Sequence, residues 1–404
     1  MAPCWGSALP QGAMNGAPTP ISRLFPSSLS HALYLKCIDP CGRHGRALPS
    51  SGQKFFGGKN MNDTNDTSTV VLVTIPFASQ WQEQLHKLSP TLHIEQHTVQ
   101  TAQEIPSTLW RDVEILYTTS KIIPSPEQAP KLRWVQLYSA GADSAVNTPL
   151  FHSSVLFTTT SGVHAVTAAE YVYMMILAWF HKFPTMLAWK QARTWPPSEE
   201  RHAMFMPEEL MGKTIGIAGY GSIGRQVAKV AKGFGMRVLA MQHGTDHRDR
   251  GFLFPDVGDP DGSLPERFYA SDQLHTFLSE SDVVVVTLPL TPATRGMFND
   301  AAFQAMKRTA FFVNIARGGV CDDEALVRAL EGKEIAGAAL DVFSKEPLPP
   351  DHPLWHLPNV FMSPHIVGTS PQYDERAAQI FIANVRRYLD GQPLYNMVNK
   401  AQGY

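Results

Sequence analysis

Three residues in the last quarter of the chain have types that suit one reaction: Arg317, Glu346 and His365. An imidazole, whose ordinary pKa lies near neutrality, can hand a proton to a carbonyl oxygen as the carbonyl carbon is reduced. A carboxylate beside it, here Glu346, would hold the ring and favour its charged form. Arg317 offers a rigid fork that matches a substrate carboxylate and polarises the adjacent carbonyl. Taken singly, each has a plainer reading. His365 could be a structural or surface histidine, Arg317 half of a surface ion pair, and Glu346, between Lys345 and Pro347, a solvated turn residue. The case for a set rests on where the chain puts them.

The placing element is Lys213 to Gln242. A short apolar run, Thr214 to Ala218, reads as a buried strand. Gly219-Tyr220-Gly221-Ser222-Ile223-Gly224 follows, a G-x-G-x-x-G loop, and then a helical pattern with Ile223, Val227, Val230, Ala231 and Phe234 on one face and Gly235 as its stop. Arg237 to Met241 is a second strand. In such a βαβ unit the first glycine permits the turn, the second lets backbone approach a pyrophosphate, and the third lets helix lie close on strand. The helix N-terminus adds unpaired N–H groups and partial positive charge. A glycine-rich turn without a ligand is the plainer alternative.

Downstream, 282–287, 310–315, 335–340 and 360–362 read as further parallel strands, apolar on both faces. In an open parallel sheet, ligands bind beyond the carboxyl ends of the strands. Those ends carry Thr287-Leu288-Pro289, Ala316-Arg317-Gly318-Gly319, Asp341 with Glu346 five further on, and Ser363-Pro364-His365. Arg317, Glu346 and His365 are thereby gathered at one edge. Asp341 reads as a cofactor contact, or else as a strand-end cap; Cys321 reads as a small buried hydrophobe.

Upstream, Val70 to Ile75, Leu92 to Val99, Val113 to Tyr117, Trp134 to Tyr138 and Leu156 to Thr159 are strand candidates of a smaller α/β unit, with a short helix over Trp81 to Leu88. Its loop Ser139-Ala140-Gly141-Ala142-Asp143 either aims backbone N–H groups at an anion or is a tight turn of small residues. Thr167 to Phe180 reads as a helix bridging the two units, with Thr167 as N-cap and Glu170 as its capping-box partner. The Pro-containing segment Trp195 to Pro207 leads into the central unit, and Gln372 to Leu389 reads as an amphipathic return helix.

The chain has 404 residues, enough for two domains, and is 44% hydrophobic. A formal net charge of −2 gives no reason to expect nucleic acid or an acidic membrane surface. The longest apolar run, Tyr171 to Phe180, is too short to span a bilayer. Cys4, Cys37, Cys41 and Cys321 make no disulfide framework or metal set, which suits a reducing, cytoplasmic setting. Residues 1–68 are rich in Pro, Gly and Ser and poor in acids. They read as a disordered extension or a stretch upstream of a start at Met61, with a mitochondrial transit peptide as the alternative.

Together, the glycine loop, Asn314-Ile315-Ala316-Arg317-Gly318-Gly319, Leu340-Asp341-Val342-Phe343 with Glu346-Pro347, and Ser363-Pro364-His365-Ile366 resemble the D-isomer-specific 2-hydroxyacid dehydrogenases, from about Val70 to Tyr404. The resemblance implies a two-domain α/β protein: a Rossmann doubly wound parallel sheet over 164–369, and a smaller flavodoxin-like substrate domain over 69–163 completed by 370–404. It implies Arg317, Glu346 and His365 as catalytic residues, a homodimer, and reduction of a small 2-oxo acid such as glyoxylate or hydroxypyruvate. Expected cofactor contacts are Gly219 to Gly224, Gln242, His243, Thr287, Leu288, Pro289, Thr294, Ala316, Arg317, Asp341, His365 and Gly368. Ser139, Ala140, Gly141 and Arg317 are the expected substrate contacts. Formate dehydrogenases of this fold carry Gln at the place of Glu346, which sets the chain apart from them.

One position departs from the pattern. NAD-preferring members end the second strand of the unit on an acid that binds the ribose hydroxyls; here Gln242 stands there, with Arg248 and Arg250 nearby. The cofactor is expected to be NADP or NAD, with NADPH used at least as well as NADH. A cofactor-sensing co-repressor of the same fold is the alternative to an enzyme.

Overall fold

The computed structural model describes residues 68–403. The expectations for the first 68 residues, with Cys4, Cys37, Cys41 and Met61, fall outside them, Ser68 apart.

The described strands form two sheets in which every pairing is parallel. The first contains β1 (Thr69–Val73), β2 (Leu92–Gln96), β3 (Val113–Thr118), β4 (Trp134–Leu137) and β5 (Leu156–Thr158), in the order β2-β1-β3-β4-β5. The second contains β6 (Thr214–Ala218), β7 (Arg237–Met241), β8 (Arg267–Tyr269), β9 (Val283–Val286), β10 (Phe311–Asn314), β11 (Gly337–Leu340) and β12 (Val360–Met362), in the order β12-β11-β10-β9-β6-β7-β8. These are the flavodoxin-like and Rossmann orders. The all-valine β9 is buried along its whole length, because helices cover both faces of a parallel sheet and leave no face for polar side chains. The order reverses between β6 and β9, so a crevice opens where the connections leave the sheet in opposite directions.

Two helices tie the sheets together. Ala165–Phe180 buries one face against the Ser222–Gly233 helix that follows the glycine loop, and the Tyr173 hydroxyl donates to Val227 O at 2.9 Å. Tyr373–Leu389 returns to the first sheet, where Phe381 stacks on Tyr117 with ring centroids 4.4 Å apart. Phe381 is fully buried with Val71, Trp134 and Val385, so its truncation to Ala would cost about 3–5 kcal/mol.

Local expectations fail at three places. The bridging helix begins at Ala165, so Thr167 lies inside it and caps nothing. The chain has already turned through Ser161-Gly162-Val163-His164, with Val163 N–H donating to Thr160 O and Ala165 N–H to Gly162 O. The Trp195 to Pro207 segment contains a helix, Ser198–Phe205, that buries none of its residues and so shows no apolar period. The three-residue β8 follows the polar insert and was hidden by its brevity.

That insert, from Gln242 to about Leu264, is anchored by buried charge. Arg225, 2% exposed, donates to Asp259 O at 2.6 Å and His247 O at 2.7 Å. The Asp259 carboxylate accepts from the Tyr220 hydroxyl at 2.7 Å and from the N–H groups of Ser263 and Leu264. Farther along, Phe252 and Phe254 pack with Val163, Ala377 and Ile380, and Phe252 N–H donates to Asn396 Oδ1 at 3.0 Å. The insert therefore runs from the glycine-loop helix to the five-stranded half.

Candidate active site

The glycine loop has the shape a dinucleotide needs. Gly219 adopts φ +101°, and a Cβ there would lie 2.9 Å from the Thr287 backbone. Thr287 holds it from the next strand, its hydroxyl donating to Gly219 O at 2.6 Å. A Cβ on Gly224 would come within 2.4 Å of Gly219 O and 2.9 Å of Ile217 Cγ2, so only glycine lets the helix sit this close. Around Gly221 a Cβ would meet no atom of the described residues within 4 Å; its bare backbone lines the cleft. The helix Ser222–Gly233 starts there with no side-chain cap, leaving its first N–H groups for an anion. At the far end of β7, Gln242 Oε1 is a buried acceptor without a partner among the described residues. These residues fit a dinucleotide, phosphates at Gly221 to Ile223 and a ribose hydroxyl at Gln242.

The cleft holding them has a volume of about 1000 Å³ and runs to the loops of both sheets. It is lined by all six glycine-loop residues, by Gln242, His243, Thr287, Leu288, Pro289, Ala316, Arg317, His365 and Gly368, and by Ser139, Ala140 and Gly141. Two residues expected as cofactor contacts hydrogen-bond within the protein. Thr294 Oγ1 donates to Pro289 O at 2.6 Å and closes the turn after β9. Asp341 is fully buried, and its carboxylate accepts from the Ser363 hydroxyl at 2.6 Å and from the N–H groups of Ile366 and Val367 at 2.9 and 3.0 Å. It acts as the strand-end cap, which sequence alone left as the second choice.

That cap positions His365. The loop from β12 is pinned on β11, with His365 N–H donating to Asp341 O at 2.9 Å. His365 itself takes φ +55°, a left-handed conformation uncommon for a side-chain-bearing residue. Its Nδ1 lies 2.8 Å from Glu346 Oε2, while Glu346 Oε1 accepts from Phe343 N–H at 3.0 Å. Partial burial pushes the Glu346 carboxyl up. The hydrogen bonds from His365 and Phe343 and the charges of His365 and Arg317 outweigh it and hold the carboxyl below its ordinary value.

Arg317 follows β10 and faces the five-stranded half. One amino group donates to Ala316 O at 2.8 Å, and the other to Asp143 Oδ2 at 3.1 Å. Within the loop after β4, the Ser139 hydroxyl donates to Gly141 O at 2.7 Å, and no described protein group accepts from the N–H groups of Ser139, Ala140 or Gly141. The cleft thus contains an imidazole held by a carboxylate, a guanidinium, and a row of backbone donors. This set can bind a small carboxylate and protonate an oxygen beside it.

Several cleft residues have no role in the sequence reading, among them Asp143, Tyr138 and His164. Asp143 was seen in its loop without a role. Tyr138 and His164 line the same space, with His164 Nδ1 2.9 Å from Gly368 O. Burial, then the charges of Arg317 and Arg376, lower the pKa of His164 despite that hydrogen bond. Its only signal in sequence was its place at the turn into the bridging helix.

Residues 173–367 match the model of the D-isomer specific 2-hydroxyacid dehydrogenase NAD binding domain. A glyoxylate reductase of Korarchaeum cryptofilum is 35% identical over 280 residues, 68% of this chain and 78% of that protein. One from Thermococcus onnurineus is 36% identical over 300 residues, covering 72% and 84%. Among solved structures, a D-isomer specific 2-hydroxyacid dehydrogenase of Xanthobacter autotrophicus in complex with NADPH and MES superposes with TM-score 0.65 at 27% identity, covering 84% of this chain and all of that one. An NADPH-dependent glyoxylate/hydroxypyruvate reductase of Sinorhizobium meliloti with NADP and sulfate gives 0.63 at 26% identity, covering 83% of this chain and 100% of its own. The chain belongs to the D-isomer-specific 2-hydroxyacid dehydrogenase family, NAD(P)-dependent oxidoreductases acting on 2-hydroxy or 2-oxo acids.

Proposed function

We propose that the protein reduces a small 2-oxo acid, of the class of glyoxylate, hydroxypyruvate or a larger homologue, to the D-2-hydroxy acid. The observation that carries this reading is the His365–Glu346 pair at 2.8 Å beside Arg317, in a cleft that also contains the glycine loop. A bound reduced nicotinamide supplies the hydride. Because Glu346 takes Nδ1, His365 has Nε2 left to give a proton to the carbonyl oxygen. Arg317 and the N–H groups of Ser139 to Gly141 hold the substrate carboxylate. In this reading 164–369 is the dinucleotide domain, and 69–163 with 370–404 the substrate domain.

NADPH is used at least as well as NADH, because the side chain directly after β7 is the neutral Gln242 and no carboxylate stands there to repel a 2′-phosphate. The activity test is a panel of 2-oxo acids with each cofactor, followed by the absorbance of the reduced nicotinamide. Turnover with glyoxylate or hydroxypyruvate is expected. No turnover with any acid, alongside tight binding of partner peptides, would favour the co-repressor.

A homodimer is part of this reading. The helices Phe183–Ala192 and Ser198–Phe205 bury none of their residues within the chain. Phe183, Leu187, Trp195, Met204, Met206 and Met211 are all exposed on or beside them, and large apolar side chains exposed together mark an interaction surface. Light scattering after size exclusion is expected to give twice the chain mass. Among the described residues no helix is long and apolar enough to cross a membrane. Cys321, buried and unpaired among the described residues, fits a reducing, cytoplasmic setting.

A further inference from the structure

We propose that Asp143 is a built-in stand-in for the substrate carboxylate, occupying Arg317 until a 2-oxo acid displaces it. The inference rests on the reading of Arg317 as the carboxylate-binding residue. Asp143 presents the same functional group as the substrate, and its Oδ2 lies 3.1 Å from an Arg317 amino nitrogen. The place also matches. A Cβ built on Gly141 would lie 2.7 Å from Asp143 Oδ2 and 2.9 Å from the same Arg317 nitrogen. The ion pair therefore rests on the very residue whose N–H is free to receive a carboxylate.

The pair joins the two halves of the molecule, Asp143 from the loop after β4 and Arg317 from the end of β10. Both side chains are substantially exposed, 51% and 41%, and an exposed ion pair is weak and screened by salt. It is strong enough to compete and weak enough to be displaced. The second amino group of Arg317 stays on Ala316 O at 2.8 Å. The guanidinium thus keeps its aim when Asp143 leaves, and the exchange needs only a rotation of the Asp143 side chain. A permanent orienting role for Asp143 makes the opposite demand: without it, Arg317 would lose its aim and substrate would bind less well.

The test uses the full-length protein, wild type and Asp143→Asn. Oxamate, a non-reducible carboxylate analogue, is titrated in the presence of NADPH by calorimetry, and KM and kcat are measured with glyoxylate. The substitution is expected to tighten oxamate binding and lower KM about two- to five-fold, with a smaller change in kcat and a stronger salt dependence of KM, because substrate binding is then no longer an exchange of one carboxylate for another. A higher or unchanged KM with weaker or unchanged oxamate binding would overturn the proposal. So would a crystal structure with oxamate bound in which Asp143 still pairs with Arg317. Arg317→Gln separates this outcome from failure of the underlying reading. If that variant binds oxamate like the wild type, Arg317 is not the carboxylate site at all, whatever Asp143→Asn does. Because oxamate binding needs no turnover, the result also stands if glyoxylate proves a poor substrate.

Discussion

His365 Nδ1 and Glu346 Oε2 lie 2.8 Å apart although the two residues are 19 positions apart in the chain. The contact exists because β11 and β12 are parallel neighbours and Asp341 ties the loop after β12 back onto the end of β11. Glu346 is fixed from its own side by Phe343 N–H. A charged neighbour of the imidazole is thus built into the sheet edge.

Removing that charge gives a signed expectation. The Glu346 carboxyl is held below its ordinary value. It therefore stays anionic throughout the neutral range, and its interaction with His365 is lost only as pH falls through that lowered value. Glu346→Gln should lower kcat/KM for 2-oxo acid reduction, since the imidazole then loses the carboxylate that holds it through Nδ1. His365→Ala should cut turnover by roughly 10²–10⁴ with little effect on cofactor affinity. Profiles of kcat/KM against pH for the variants decide it; a Glu346→Gln profile superposing on wild type would remove Glu346 from the mechanism.

Two glycines of one loop should fail in different ways. At Gly224 a Cβ would press to 2.4 Å of a backbone oxygen, so Gly224→Ala should cost about 1–3 kcal/mol of stability and weaken cofactor binding with it. At Gly221 a Cβ meets no atom of the described residues. Gly221→Ala should melt close to wild type yet bind NADPH at least ten-fold more weakly. Thermal melts and fluorescence titration measure the two quantities. Wild-type affinity in Gly221→Ala would mean that no phosphate comes near its backbone.

Much of this was legible beforehand, for identifiable reasons. Parallel strands buried on both faces leave continuous apolar runs, so β6, β9 and β10 announce themselves, and the residues directly after them must sit at the ligand edge. Arg317 and His365 could be placed that way without knowing any distance. What escaped depends on contacts between distant segments. Asp341 carried no mark telling a cofactor contact from a cap, because its partners lie 22 to 26 residues away. Thr167 had a good capping sequence, but a turn set by Thr160 and Gly162 started the helix earlier. Asp143 meets Arg317 across a separation of 174 residues, beyond the reach of any local pattern.

The polar insert after β7 should prove acid-sensitive. Burial raises the Asp259 carboxyl, but the Tyr220 hydroxyl and the Leu264 and Ser263 N–H groups together bring it below its ordinary value. A carboxyl depressed in the folded state adds stability above the unfolded value, near 3.9, that is lost as pH falls through the folded one. Asp259→Ala leaves the Tyr220 hydroxyl and two N–H groups without their acceptor, at a cost of about 2–3 kcal/mol near neutral pH. The deficit should shrink as pH falls below about 4. Denaturant unfolding at several pH values measures it; a deficit that does not change with pH would assign the effect to packing rather than to the ionised carboxylate.

The last expectation concerns cofactor choice. Gln242 directly follows β7 at the cleft wall, its Nε2 donating to Asp246 O at 3.0 Å and its Oε1 without a partner among the described residues. The Asp246 carboxylate, four residues on, is neutralised by Arg250 at 2.6 Å and accepts from Arg248 N–H. The wild-type edge therefore presents an acceptor for a ribose hydroxyl but no free carboxylate to oppose a 2′-phosphate. Gln242→Asp supplies one. At contact distance such repulsion reaches a few kcal/mol at intermediate dielectric, and solvent exposure reduces it to about 1–2 kcal/mol. The ratio of kcat/KM for NADPH to that for NADH should then fall about five- to thirty-fold, chiefly through KM for NADPH. If the ratio holds, the 2′ position lies away from Gln242, and cofactor choice is set elsewhere on the insert, where Arg248 and Arg250 are the residues to change next.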